Sequence, residues 1–196
     1  MDTSKIVGEK IKSLRESQSI SMEELAERSG LAIEQVERIE SNIDLPSLAP
    51  LIKIARVLGG RLGTFLDDQV ENGPVVCRQA GSSDNSISFS NNAIQSRKHM
   101  EYHALAGPKS DRHMEPFIIN INAMNDADFV LSSHEGEEFI YVMEGTMEIS
   151  YGQSSYLLNE GDSIYFDSIV PHHVHAYQGK EAKILAVVYS PILYMT

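Results

Sequence analysis

The run SSHEGEEFIYVMEG, Ser132 to Gly145, carries a histidine and a glutamate four residues apart, followed by alternating apolar residues. On an extended strand His134 and Glu138 share one face, and Ile140 and Val142 continue it. His172 lies on a later extended segment, DSIVPHHVHAYQ, which a closed barrel can place alongside the first. Two imidazoles and one carboxylate converging in an apolar barrel form a 2-His-1-carboxylate set. Such a set suits Fe(II), and also Zn(II), Mn(II) or Ni(II), and leaves positions open for water or a small molecule. The other arrangement open to these residues is metal-free, with His134 paired to Glu138 in a ligand pocket and His172 packed nearby. Ser132 is a poor metal ligand but can hydrogen-bond to a bound water or ligand. His173 and His175 should point away from His172 by strand alternation, and are expected at the surface.

These residues need a scaffold, and the last two-thirds of the chain supplies one. Short segments rich in Ile, Val, Tyr and Phe recur between Gly, Asn, Asp or Pro: HMEYHAL, EPFIININA, EFIYVME, TMEISYG, SSYLLN, DSIYFD, HHVHAYQ and AKILAVVYS. Eight or more strands at this spacing predict a sandwich or barrel of the jelly-roll kind. Tyr102, Arg97 and Arg112 lie on or beside strands that can reach the barrel mouth, and Tyr102 joins Ser132 as a candidate ligand-binding residue.

The first third has a helical period instead. Ile6, Val7, Ile11 and Leu14 predict a helix over residues 3–17. SMEE, Ser21 to Glu24, is a capping-box start for a second helix ending at Gly30. A third helix starts near Ile33, with Val36 and Ile39 turned inward. A fourth follows Ser47 as N-cap, with Pro50 in its first turn and Leu48, Leu51, Ile52, Ala55 and Leu58 buried. A fifth covers residues 62–66. A tight Ser-Gly-Leu turn between the second and third helices gives a helix-turn-helix. DDQVENGPVV, residues 67–76, has the composition of an exposed connector. The resulting organisation is α+β with two domains: helical residues 1–66, a linker at 67–74, and an all-β domain at 75–196.

Charge separates the two domains. The chain of 196 residues has a formal net charge of −12. Residues 1–66 hold nine Lys/Arg against ten Asp/Glu, whereas residues 67–196 hold seven against eighteen. The acidic part repels nucleic acid, so any DNA contact must come from the helical part. A single cysteine, Cys77, no leader-like apolar stretch at the start and no long apolar run lead to the expectation of a cytoplasmic protein without membrane contact.

The segment Met22 to Ser41, with its flanking helices, resembles the helix-turn-helix of the Cro/phage-repressor-like (XRE) family. That resemblance implies a major-groove surface made of Ala32, Ile33, Glu34, Glu37, Arg38 and Ser41, with Gln35 available to adenine if it points outward. Lys12, Arg15, Arg28, Arg38 and Lys53 are the expected phosphate contacts, and Glu34, Glu37 and Glu40 work against them. A homodimer, or a higher homo-oligomer, is expected to read two operator half-sites.

Residues 132–145 and 161–176 resemble the two sequence blocks of the cupins. The first block, His-x-His-x3/4-Glu-x6-Gly, appears as Ser132, His134, Glu138 and Gly145. The second appears as Gly161 and His172, with Asp167, Ile169 and Ala176 at its other positions. The whole chain resembles XRE-type regulators with a C-terminal cupin sensor, which implies a small-molecule effector and a regulatory rather than enzymatic role. A more distant resemblance is to the hydroxypropylphosphonate epoxidases, Fe(II) cupin enzymes that likewise keep the residues matching His134, Glu138 and His172. Their substrate-reaching lysine has no equivalent in Gln18-Ser19-Ile20, and Leu131 stands where they carry an asparagine.

Overall fold

The computed structural model describes residues 4–43, 47–66, 73–78, 86–88, 100–109, 112–123 and 131–191. Among these residues five helices come first: α1 (Ser4–Ser17), α2 (Met22–Ser29), α3 (Ile33–Glu40), α4 (Leu48–Val57) and α5 (Leu62–Leu66). Their apolar stripes meet in one core, in which Val7, Ile11, Leu25, Val36, Leu51 and Ile54 have no exposed surface. The Ser21 hydroxyl accepts from the amide of Glu24 at 3.1 Å, satisfying one orphan donor of α2. The Glu24 carboxylate pairs forward with Arg28, where the capping box has it reach back. Gly30 ends α2 in the left-handed region, φ +65°, and its amide closes onto the carbonyls of Ala26 and Glu27. Ser47 occupies the N-cap position of α4 as expected, though its hydroxyl makes no capping hydrogen bond.

Among the described residues eight strands follow: β1 (Ser86–Ser88), β2 (Met100–Ala104), β3 (Met114–Ile121), β4 (Glu137–Tyr151), β5 (Ser154–Asn159), β6 (Ser163–Asp167), β7 (His172–Ala176) and β8 (Ala182–Tyr189). All pairings are antiparallel. The order β1-β2-β3-β8-β4-β5 forms the main path, with β6 and β7 also paired to β4. This arrangement suits a jelly roll. The segments EFIYVME and TMEISYG, which read as two strands, form the single long β4. Its first half lies between β8 and β6, and its second half between β5 and β7.

A register shift between Val142 and Glu144 lets β4 serve both halves. The extra residue at this bulge reverses which parity faces inward. Ile140 and Val142 are buried before it, Met147 and Ile149 after it. β1, in a stretch with no strand pattern, pairs with β2. Most of the proposed linker, residues 67–72, lies outside the described residues. Among the described residues, no helix is long and apolar enough to cross a membrane.

The helical domain is docked on the barrel. Glu115, at the start of β3 and 5% exposed, accepts the amide of Gly63 in α5 at 3.2 Å and the Arg112 guanidinium at 2.6 Å. Arg61 donates to the carbonyl of Arg112 at 3.2 Å, and Arg56 of α4 pairs with Glu135 at 2.7 Å.

Candidate metal centre and nucleic-acid surface

Three segments bring the sequence-predicted ligands together. The stretch before β4 is held by an isolated bridge in which Ser132 exchanges both backbone hydrogen bonds with His172, at 2.7 and 2.9 Å. The amide of His134 donates to the carbonyl of Ser168 at 3.0 Å, which fixes the next ligand position. Glu138 stands in β4 opposite Phe166, and His172 opens β7. Gly136, between His134 and Glu138, has φ +111°, and a Cβ there would lie 2.0 Å from the carbonyl oxygen of Tyr189. Only glycine lets the chain pass β8 so closely at this point.

His134, Glu138 and His172 have ligand atoms all within 4.8 Å of one another. The Nε2 atoms of His134 and His172 lie 3.0 and 3.4 Å from the same Glu138 oxygen, Oε1. That oxygen also accepts from the Ser168 hydroxyl at 2.9 Å, and Ser168 is completely buried. Each imidazole faces a backbone carbonyl with its other nitrogen: His134 Nδ1 is 3.0 Å from Glu135 O, and His172 Nδ1 is 2.9 Å from Val170 O. With a proton on each Nδ1 to satisfy those carbonyls, both Nε2 lone pairs face a carboxylate oxygen. Three lone-pair donors meeting at one buried point call for a positive charge there. A proton or a divalent cation meets that demand.

The electrostatics agree. Burial opposes ionisation of Glu138, yet the hydrogen bonds and charges of His134 and His172 outweigh it and hold the carboxyl at about 2. Burial likewise works against a charged His172, but the Glu138 hydrogen bond and charge raise its pKa above the usual value. The donor set and its convergence fit a divalent metal, with the carbonyls of Glu135 and Val170 orienting the two rings.

The triad opens into a cavity of about 130 Å³. Ser132 and Tyr102, the two candidate ligand contacts, both line it. Tyr102 is 9% exposed, and its hydroxyl donates to the Met100 sulfur at 3.3 Å. Ile119, Ile140, Ile184 and Val188 form the apolar wall. Arg112 is elsewhere, bound by Glu115 and by the carbonyls of Gly107 and Lys109 at the domain junction. Arg97 lies outside the described residues.

Two further positions differ from expectation. His173 and His175 do alternate away from His172, but they are half-buried rather than superficial. Their rings stack 5.4 Å apart, His175 lies 3.4 Å from Glu148, and both histidines stand in the lining of the cavity. Burial and the neighbouring histidines hold His173 down to about 4. Sequence spacing offered no signal for Ser168, or for the residues of α4 that reach the cavity.

On the helical domain, Ala32, Ile33, Glu34, Glu37 and Ser41 are exposed along α3, while Gln35 and Arg38 are half-buried. Val36 and Ile39 hold the opposite face in the core. Two charged residues leave the expected surface. Arg15 and Glu40 are buried and form a two-pronged ion pair, with Nε to Oε1 at 2.6 Å and Nη2 to Oε2 at 2.8 Å. The Glu40 hydrogen bond raises the Arg15 pKa further. Arg15 therefore holds α1 to α3 and is not presented to phosphate, and Glu40 does not oppose DNA.

Comparison with known proteins agrees with this two-part architecture. Residues 11–65 match the HTH_3 helix-turn-helix family, and residues 124–188 match the cupin domain family. The (S)-2-hydroxypropylphosphonic acid epoxidase of Streptomyces wedmorensis is 30% identical over 92 residues, which is 44% of this chain and 46% of the enzyme. The HTH-type transcriptional regulator SinR of Bacillus subtilis (strain 168) is 36% identical over 67 residues, 34% of this chain and 60% of the regulator. The chain thus spans between 46% and 60% of the length of these curated relatives. A crystal structure of an HTH_3 family transcriptional regulator from Vibrio cholerae superposes with a TM-score of 0.70, covering 97% of this chain and 99% of that one at 24% identity; the fold is shared.

Proposed function

From a chain that joins an HTH_3 helix-turn-helix domain to a cupin domain, we propose a DNA-binding transcription regulator whose cupin cavity senses a small molecule at a metal held by His134, Glu138 and His172. The observation that carries this reading is the free outer face of α3. Ala32, Ile33, Glu34, Glu37 and Ser41 are exposed, and the barrel docks against α4 and α5 instead. Ala32 to Ser41 would enter the major groove, with Arg38 and Gln35 at its edge. Two protomers would present two such helices to an operator with two half-sites. Effector binding would shift the populations of two dimer arrangements, and operator binding would shift effector affinity reciprocally.

The metal would be Fe(II), Zn(II), Mn(II) or Ni(II), all of which accept two imidazoles and a carboxylate. Bound there, it would supply a Lewis-acidic anchor for one polar group of the effector. Ser132 and Tyr102 would line the remaining space, and the isoleucine wall would exclude water from it.

A second reading, an Fe(II) cupin oxygenase, is favoured by the triad and by the partial identity to the epoxidase. Among the described residues, however, no lysine or arginine lines the cavity. A phosphonate dianion needs charged donors around it.

Two measurements test the regulator. Footprinting of the full-length protein on its own upstream DNA should reveal a site with two-fold symmetry, and Arg38→Ala should weaken it about tenfold or more, the cost of one lost side-chain contact repeated in two protomers. Elemental analysis should find near-stoichiometric divalent metal that His172→Ala abolishes. Random DNA bound as tightly as the upstream region would remove the regulator reading, and turnover with Fe(II) and oxygen would replace it with the oxygenase.

A further inference from the structure

The cavity is not a property of the barrel alone. Ser47, Leu48 and Ala49, at the start of α4, stand in its lining beside Tyr102, Ile119 and His134. Leu48 is half-buried, and Ala49 is 7% exposed. The far end of the same helix reaches the triad by another route: Arg56 pairs with Glu135, whose backbone carbonyl faces Nδ1 of His134. α4 also packs against α2, the first helix of the helix-turn-helix.

The chemistry of the lining restricts what can bind. Apart from the triad and a few polar neighbours such as Asn122 and His173 its lining is apolar, and among the described residues no lysine or arginine reaches it. A divalent cation on Glu138 leaves one positive charge, which a monoanionic head group neutralises. A dianion would leave a buried negative charge without a partner. A volume of about 130 Å³ is close to the ~150 Å³ of an apolar cavity that admits benzene.

We infer that the cavity binds a small monocarboxylate with a short apolar tail, and that the DNA-binding domain touches that tail directly through Leu48 and Ala49. This rests on the metal-anchored effector site proposed above. The carboxylate takes the open positions at the metal, and the tail lies between the isoleucine wall and Leu48. Leu48 is thus a specificity-determining residue for tail length, carried by the domain that must respond.

The test is calorimetry on the full-length protein. Zn(II) is titrated first, and butyrate, hexanoate, octanoate and propylphosphonate follow on the Zn(II)-saturated protein. Wild type should bind hexanoate more tightly than butyrate, with about fourfold gained per methylene that finds room. At an alkaline pH where propylphosphonate is a dianion, it should bind at least tenfold more weakly than butyrate, which carries the same propyl tail. Leu48→Ala should move the preference toward octanoate, and Leu48→Phe toward butyrate. Ala49→Val supplies the narrowing arm independently if Leu48→Phe does not unfold cooperatively.

The inference is overturned if no carboxylate binds, or if the dianionic phosphonate matches butyrate. It is overturned equally if the variants keep the wild-type order or weaken all three acids by one common factor, as a merely damaged fold would. Failure of Zn(II) to bind overturns the metal reading and the carboxylate head group with it, and the same series on metal-free protein then judges only whether α4 forms a wall of the cavity. Operator footprinting reads the regulator separately from either.

Discussion

At the scale of single residues, the helical domain depends on a charge pair that spacing could not show. Arg15 and Glu40 are 25 positions apart, and each alone reads as a solvent-facing residue. Buried together, they satisfy one another, and Arg15 also donates to the carbonyl of Ile20 at 2.9 Å. Removing one partner strands the other charge away from water. Glu40→Ala should therefore destabilise the helical domain by about 3 kcal/mol, read as a lower denaturant midpoint, while replacement of both residues by Met should recover much of the loss. The triad lies at the opposite extreme of legibility. His134 and Glu138 follow from strand alternation, and His172 from a second segment that a barrel brings alongside. Ser168 completes the carboxylate's partners, and nothing in its neighbourhood of sequence marks it, because a hydroxyl can donate from any turn that passes close enough.

At the scale of elements, boundaries set by capping and by glycine were readable, and those set by long-range pairing were not. The bounds of α5 and the end of α2 at Gly30 agree with the local signals. The continuity of β4 does not show locally, since its bulge interrupts the alternation and mimics a break between two strands. The two glycines Gly30 and Gly136 separate two kinds of constraint. At Gly30 nothing lies within 4 Å of the place an alanine methyl would take, so alanine meets only the left-handed backbone. Gly30→Ala should cost about 1 kcal/mol. Gly136→Ala meets both a positive φ and the backbone of Tyr189, and should cost several times as much, about 3 kcal/mol. Thermal unfolding checks the contrast. Because Gly136 lies between two of the proposed ligands, its alanine variant should also lose any metal held there, whereas Gly30→Ala should retain it.

At the scale of the whole molecule, Glu115 ties the two domains together. It accepts from Gly63 on one side and Arg112 on the other. Glu115→Ala should speed hydrogen exchange at the amides of α5 by about tenfold or more, the loss of roughly 1.5 kcal/mol of local protection from one charged acceptor, with β4 and β8 unchanged. Equal exchange in both proteins would mean that the junction is held elsewhere. Docking of this kind leaves no periodic trace in a sequence, since the residues involved belong to separate helices and strands. The placement of Ser47 to Ala49 against the barrel has a consequence for protein engineering. Barrel and helical domain are not interchangeable cassettes here: grafting this barrel beneath a foreign helix-turn-helix would remove one side of its cavity. A working chimera would have to transplant α4 together with the barrel, so the practical crossover point lies inside the helical domain, ahead of Ser47.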